Sequence, residues 1–81
     1  MEDLREAVVK SKLLSGTLRQ DKLQRVWGGK GDGRPCAGCD QPIRDSDIEI
    51  EAKFSDQQTL PFHSLCFDWW CTATQGWPRS A

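Results

Sequence analysis

Two short clusters in this chain have the residue types and spacing of a metal site. Cys36-Ala37-Gly38-Cys39 is a C-x-x-C, and His63-Ser64-Leu65-Cys66 is an H-x-x-C, with 23 residues between them. Four soft donors drawn as two close pairs from two segments are the usual plan of a structural zinc site. Two residues between ligands let one tight turn aim both side chains at a single point. Gly38 is expected to permit a left-handed backbone inside that turn, and Pro35 stiffens its entry. In the second pair, i and i+3 face the same way on the first turn of a helix. The predicted ligands of one zinc ion are therefore Cys36, Cys39, His63 and Cys66.

Other readings of the same residues remain open at this stage. Four cysteines could form two disulfides, but disulfides do not require a histidine at matching distance. A redox C-x-x-C would need a βαβ setting that this pattern lacks. Cys71 is a fifth candidate donor, and a rival shell would use Cys36, Cys39, Cys66 and Cys71. On a helix starting near Ser64, Cys71 lies off the face of Cys66, so it reads as a partly buried thiol. Three thiolates and an imidazole close the shell, leaving no position for an activated water. The single histidine is committed to the metal, so no Ser/His/Asp set can form, and Asp68 reads as a solvated helix residue. The expectation is a non-enzymatic protein.

The elements that must bring the two clusters together can be read from periodicity. From Asp47 the pattern has period two: Ile48, Ile50, Ala52 and Phe54 alternate with Glu49, Glu51 and Lys53, which predicts a half-buried strand. Ser55 to Gln58 reads as a turn and Thr59 to Phe62 as the returning strand, making a hairpin. After His63 the chain reads as a helix ended by Gly76 and Pro78. Glu2 to Leu14 reads as an N-terminal helix, apolar at Leu4, Ala7, Val8 and Leu14, acidic at its start, basic at its end, and stopped by Ser15-Gly16. Residues 17–27 are ambiguous. Gly28 to Gly33 fits neither a phosphate-binding loop nor a dinucleotide fingerprint and reads as a linker. The predicted organisation is an N-terminal helical arm (1–27), a Gly-rich linker (28–34), a zinc module (35–76) and a disordered tail (77–81). The fold class is a small zinc-stabilised α+β domain: a treble clef of knuckle, β-hairpin and C-terminal helix, preceded by an α-helix.

The ligand order, with Pro42-Ile43 after the first pair, Phe62 before His63 and Phe67 after Cys66, resembles the first zinc module of LIM domains. It is also similar to the zinc fingers of poly(ADP-ribose) polymerases, which use the same ligand order with a longer middle. The resemblance covers about residues 35–71. It implies a treble clef with one zinc, and from LIM domains a role in docking other proteins. The chain departs from LIM after Cys66: only Cys71 follows, so a second zinc module is not expected.

Size and charge bound the rest. The chain has 81 residues, of which 37 % are hydrophobic, below the usual apolar share of about 45–50 %. So small a core usually needs a staple. No apolar run approaches the ~20 residues of a membrane helix. The acidic Met1-Glu2-Asp3 start does not resemble a secretory signal, so an intracellular protein is expected, cytoplasmic or nuclear. The net charge is −1, with basic residues dominating 1–30 and acidic residues dominating 31–81. An acidic zinc half disfavours nucleic acid and favours a protein partner, so the expected role is an interaction, adaptor or regulatory module. The alternative is a nucleic-acid-associated regulator whose basic N-terminal arm contacts phosphate. Trp69, Trp70, Phe67, Phe62 and Phe54 read first as core, with Trp27 as the residue that would anchor the arm on the zinc module.

Overall fold

The computed structural model describes residues 4–74. It is a small α+β domain with the order α1 (Leu4–Ser15), β1 (Leu23–Lys30), β2 (Ile48–Phe54), β3 (Thr59–His63) and α2 (Ser64–Thr74). The strands form one antiparallel sheet in the order β1-β2-β3. No described helix is long and apolar enough to cross a membrane.

The hairpin forms where the period-two pattern predicts it. Glu49 lies opposite His63, Ala52 opposite Leu60 and Lys53 opposite Thr59. Gln57 closes its turn at φ 78, and the Phe54 N–H donates to the Gln58 carbonyl at 2.8 Å. Burial along β2 is uneven, however. Ala52 and Phe54 enter the core, but Ile48 is 61 % exposed while Glu49 is only 3 % exposed. Arg34 explains the exchange: its guanidinium bonds the Glu49 carboxylate and reaches Glu51 at 3.3 Å, offsetting the cost of burying the charge.

The largest correction concerns residues 23–30. Leu23 to Trp27, expected in the helical arm, and Gly28 to Lys30, expected in the linker, are strand β1. The register runs from Leu23 opposite Phe54 to Lys30 opposite Ile48, with a bulge between Leu23 and Arg25. Backbone hydrogen bonds to β2 hold this strand, and glycine does not prevent them; its low β propensity hid the strand in the sequence. The expected tail, 77–81, and the end of the C-terminal helix at Gly76 lie outside the described residues.

Helix α1 stops as predicted, with Gly16 at φ 81 just beyond Ser15, the left-handed cap position that glycine suits. Its buried face differs from the expected one. Val9 and Leu13, one helical turn apart, are buried, whereas Leu4 and Leu14 are exposed. The helix phase is chosen by its contacts. Val9 packs over Gly38 and Cys66, and Lys12 extends its ammonium to the Ala37 carbonyl at 2.7 Å and to Asp40 at 2.8 Å.

The core lies between the sheet and the two helices. Trp70 is fully buried, edge-on to Phe54 at 5.9 Å and stacked on Phe67 at 6.0 Å. Its indole N–H donates to the Arg19 carbonyl at 2.8 Å, and the Arg19 guanidinium sits 4.1 Å over the Phe54 ring. The anchors of the N-terminal segment are therefore Val9, Leu13, Leu18 and Arg19. Trp27, expected in that role, is 40 % exposed on β1.

Candidate metal centre

The first two donors sit on a tight knuckle. The Cys36 N–H donates to the Gln41 carbonyl at 2.8 Å and the Asp40 N–H to the Cys36 carbonyl at 2.9 Å, while Pro35 bridges to Pro42. Asp40, at φ 69, supplies the left-handed residue, not Gly38 as the sequence suggested. Gly38 is needed for space instead. A Cβ there would lie 3.0 Å from Val9 Cγ2 and 3.1 Å from Cys66 Cβ. The knuckle docks on the outer edge of β3, where the Ala37 N–H donates to the Pro61 carbonyl at 2.7 Å.

The second two donors come from the β3–α2 junction. His63 is the last residue of β3 and Cys66 lies in the first turn of α2. All four predicted residues, Cys36, Cys39, His63 and Cys66, converge. Their donor atoms lie within 4.8 Å of one another, and every one of these residues is buried. This cluster could hold one metal ion. His63 Nδ1 stands 3.3 Å from Cys39 Sγ and 3.8 Å from Cys66 Sγ. A tetrahedral ion with bonds of about 2.3 Å to sulfur and about 2.0–2.1 Å to nitrogen needs S···N edges of about 3.6 Å, so the spacing fits.

The surroundings prepare the donors. His63 Nε2 lies 3.1 Å from the Pro42 carbonyl; as the protonated nitrogen it donates there and leaves Nδ1 to face the thiols. The backbone N–H groups of Gly38 and His63 each donate to Cys36 Sγ at 3.3 Å. Without metal, the Cys36 thiol is pulled down to about 4, first by a hydrogen bond from Cys66 and then by the His63, Cys39 and Gly38 amides, against the effect of burial. Cys66 is pushed far up by that same bond and by burial, and burial raises Cys39. An ion entering the cluster must therefore displace protons from Cys39 and Cys66, so acid competes with it.

No disulfide joins Cys36, Cys39, Cys66 or Cys71. Cys71 is buried in the core, outside the cluster of four donors, so the rival four-cysteine shell does not assemble. The residues that sequence reasoning missed are the supports: Pro42 through its carbonyl, Gly38 through its missing Cβ, and Lys12, which ties α1 to the knuckle. Carbonyls and close approaches leave no mark in residue type, although a glycine inside a C-x-x-C is a hint that two interpretations share.

No protein-family model matches the chain, and neither a curated protein nor a solved structure matches it significantly. The likeness to LIM modules and to poly(ADP-ribose) polymerase fingers accordingly rests on ligand order and spacing.

Proposed function

We propose that this chain is a non-enzymatic zinc module, a treble clef in the manner of a first LIM module, that serves as an intracellular protein-interaction, adaptor or regulatory unit. The observation that carries the reading is the closed donor set. Four buried side chains converge on one point, and the second nitrogen of His63 is turned to Pro42. Three thiolates and one imidazole fill a tetrahedral shell, and a filled shell supplies stability rather than a reactive water. The N/S donor set and four-coordination favour zinc among divalent ions.

The charge distribution supports a protein partner over nucleic acid at the N-terminal arm. Lys10 pairs with Glu6 at 3.1 Å, Lys12 with Asp40 at 2.8 Å, and Arg19 with Asp56 at 3.0 Å. These three cations are already engaged, which leaves Lys22 and Arg25 as the arm's cations without an ion pair among the described residues, few for a phosphate-reading face.

Cobalt substitution tests the reading. Co²⁺ in place of zinc is expected to give the visible bands of a tetrahedral thiolate site, and added azide is expected to leave them unchanged. A spectrum that shifts with azide reveals an open coordination position and overturns the structural role.

A further inference from the structure

The two edges of the sheet are finished differently. The β3 edge is closed by the knuckle through the Ala37–Pro61 hydrogen bond. The β1 edge is open: Leu23 and Val26 pack toward the core, but among the described residues β1 pairs with no strand except β2. Six of its eight residues are exposed. An open strand presents a row of unpaired N–H and C=O groups that matches the backbone of another extended chain.

The groups on offer can be assigned. The Gly31 N–H donates to the carbonyl of Asp47, the residue opposite it in register. In an antiparallel ladder such bonded pairs recur at every second residue. Gly29, Trp27 and Arg25 therefore bond inward to β2, and Val26, Gly28 and Lys30 turn their N–H and C=O groups outward. The other side of β2 agrees: Phe54 bonds Gln58 of the hairpin, so the even-numbered residues of β2 serve β3 and the odd-numbered ones serve β1.

The side chains along this edge carry a consistent sign. Lys22, Arg25 and Lys30 make no ion pair among the described residues. No aspartate or glutamate occurs from Lys22 to Gly31. Gly28 and Gly29 leave the middle of the strand bare, and Trp27 stands beside them, 40 % exposed. Arg25 and Trp27 are two residues apart and share one face of the sheet.

We propose that β1 is a docking edge that takes an acidic, extended segment of a partner protein as a fourth strand. Main-chain bonds to Val26, Gly28 and Lys30 supply the register, and carboxylates of the incoming strand meet Arg25 and Lys30. An apolar residue of that strand covers Trp27. This deepens the protein-interaction reading above and rests on it. A second copy of the chain is a poorer occupant, because β1 against β1 brings cations together, and like charges on facing strands are destabilising. A nucleic-acid strand is also poorer, because it has no peptide N–H and C=O groups to pair with the outward row of Val26, Gly28 and Lys30. Lysines on an edge can also serve to keep it unpaired, but an exposed tryptophan beside two glycines is a poor shield.

The test uses the full chain with its metal content first verified, so that a failure here is distinguishable from a failure of the zinc reading. Amide hydrogen exchange of the free protein is expected to alternate: fast at Val26, Gly28 and Lys30, slow at Trp27 and Gly29. The probes are an eight-residue peptide of Glu and Val whose order places Glu opposite Arg25 and Lys30 and Val opposite Trp27, its counterpart with Lys in place of Glu, and oligothymidylate. The acidic peptide is expected to protect Val26, Gly28 and Lys30 and to bind at least tenfold more tightly than either other probe. The double substitution Arg25→Glu with Lys30→Glu should reverse the peptide preference. Gly28→Pro, which removes an outward N–H, should weaken binding at least tenfold, both variants being checked for retained metal. Equal binding of both peptides, stronger binding of the oligonucleotide, or protection of these amides by self-association without peptide would each overturn the proposal.

Discussion

The two edges of one three-stranded sheet are built on opposite principles. At β3 the chain packs a knuckle, four buried donors and the first turn of α2 around His63. At β1 eight residues are held almost wholly by hydrogen bonds to β2, with Leu23 as their one buried side chain. In a domain this small, burial is concentrated on one side because there is not enough apolar surface for two. The metal-side edge is where stability is expected to reside, and the β1 edge is where surface is left for other molecules. Substitutions on the two sides should therefore differ sharply in cost.

The largest effect is expected at the ligands. Cys36→Ser or Cys66→Ser removes a donor from a site whose metal can contribute on the order of 10–16 kcal/mol, more than the few kcal/mol a core of this size supplies alone. Loss of the cooperative thermal transition and of amide dispersion is the expected outcome. A ligand variant that melts like wild type would erase the contrast between the edges.

Gly38→Ala should come next. The new methyl meets Val9 Cγ2 at 3.0 Å and Cys66 Cβ at 3.1 Å, contacts tight enough to push α1 off the knuckle. The expected loss is about 1–3 kcal/mol, read from urea unfolding, with one metal still bound. At the other edge, Trp27→Ala should change stability by no more than about 0.5 kcal/mol, measured in the same way. A larger cost there would show that β1 is part of the core.

The smallest effect is a pH dependence far from the metal. Asp56 is held below the usual carboxylate range by the Gln58 N–H and then by Arg19. A carboxylate lowered in the folded state stabilises it above the unfolded value near 4, and the gain is lost as pH falls through the folded value. Asp56→Asn should therefore be less stable than wild type at pH 6, and the gap should close as the pH falls through the lowered folded-state value. A gap that is constant with pH would assign the effect to packing instead.

How much of this was legible follows from what residue types encode. The cluster of four potential donors, the hairpin and both helices were readable, because donor spacing and hydrophobic period are direct signals. Strand β1 was not, since Trp27-Gly28-Gly29-Lys30 has the composition of a loop and is a strand only because β2 offers it a ladder. The phase of α1 was misread: Leu4 and Leu14 are more apolar than their surroundings, but Val9 and Leu13 are the buried pair, and Val9 faces the gap above Gly38. The exchange of Ile48 for Glu49 was invisible because it depends on Arg34, fourteen residues before Ile48. In each case the missing information is a tertiary contact, which one-dimensional patterns do not carry.

The central claim is that one ion held by Cys36, Cys39, His63 and Cys66 makes this domain fold. Native mass spectrometry of the purified chain, with and without chelator, tests it most directly when repeated on His63→Ala and Cys71→Ser. The account predicts one zinc per chain in wild type and in Cys71→Ser, and weakened or absent zinc in His63→Ala. It also predicts a shift to the broad charge-state distribution of an unfolded chain after chelation. A metal-free wild type with a compact distribution, or zinc lost from Cys71→Ser but retained by His63→Ala, would contradict it.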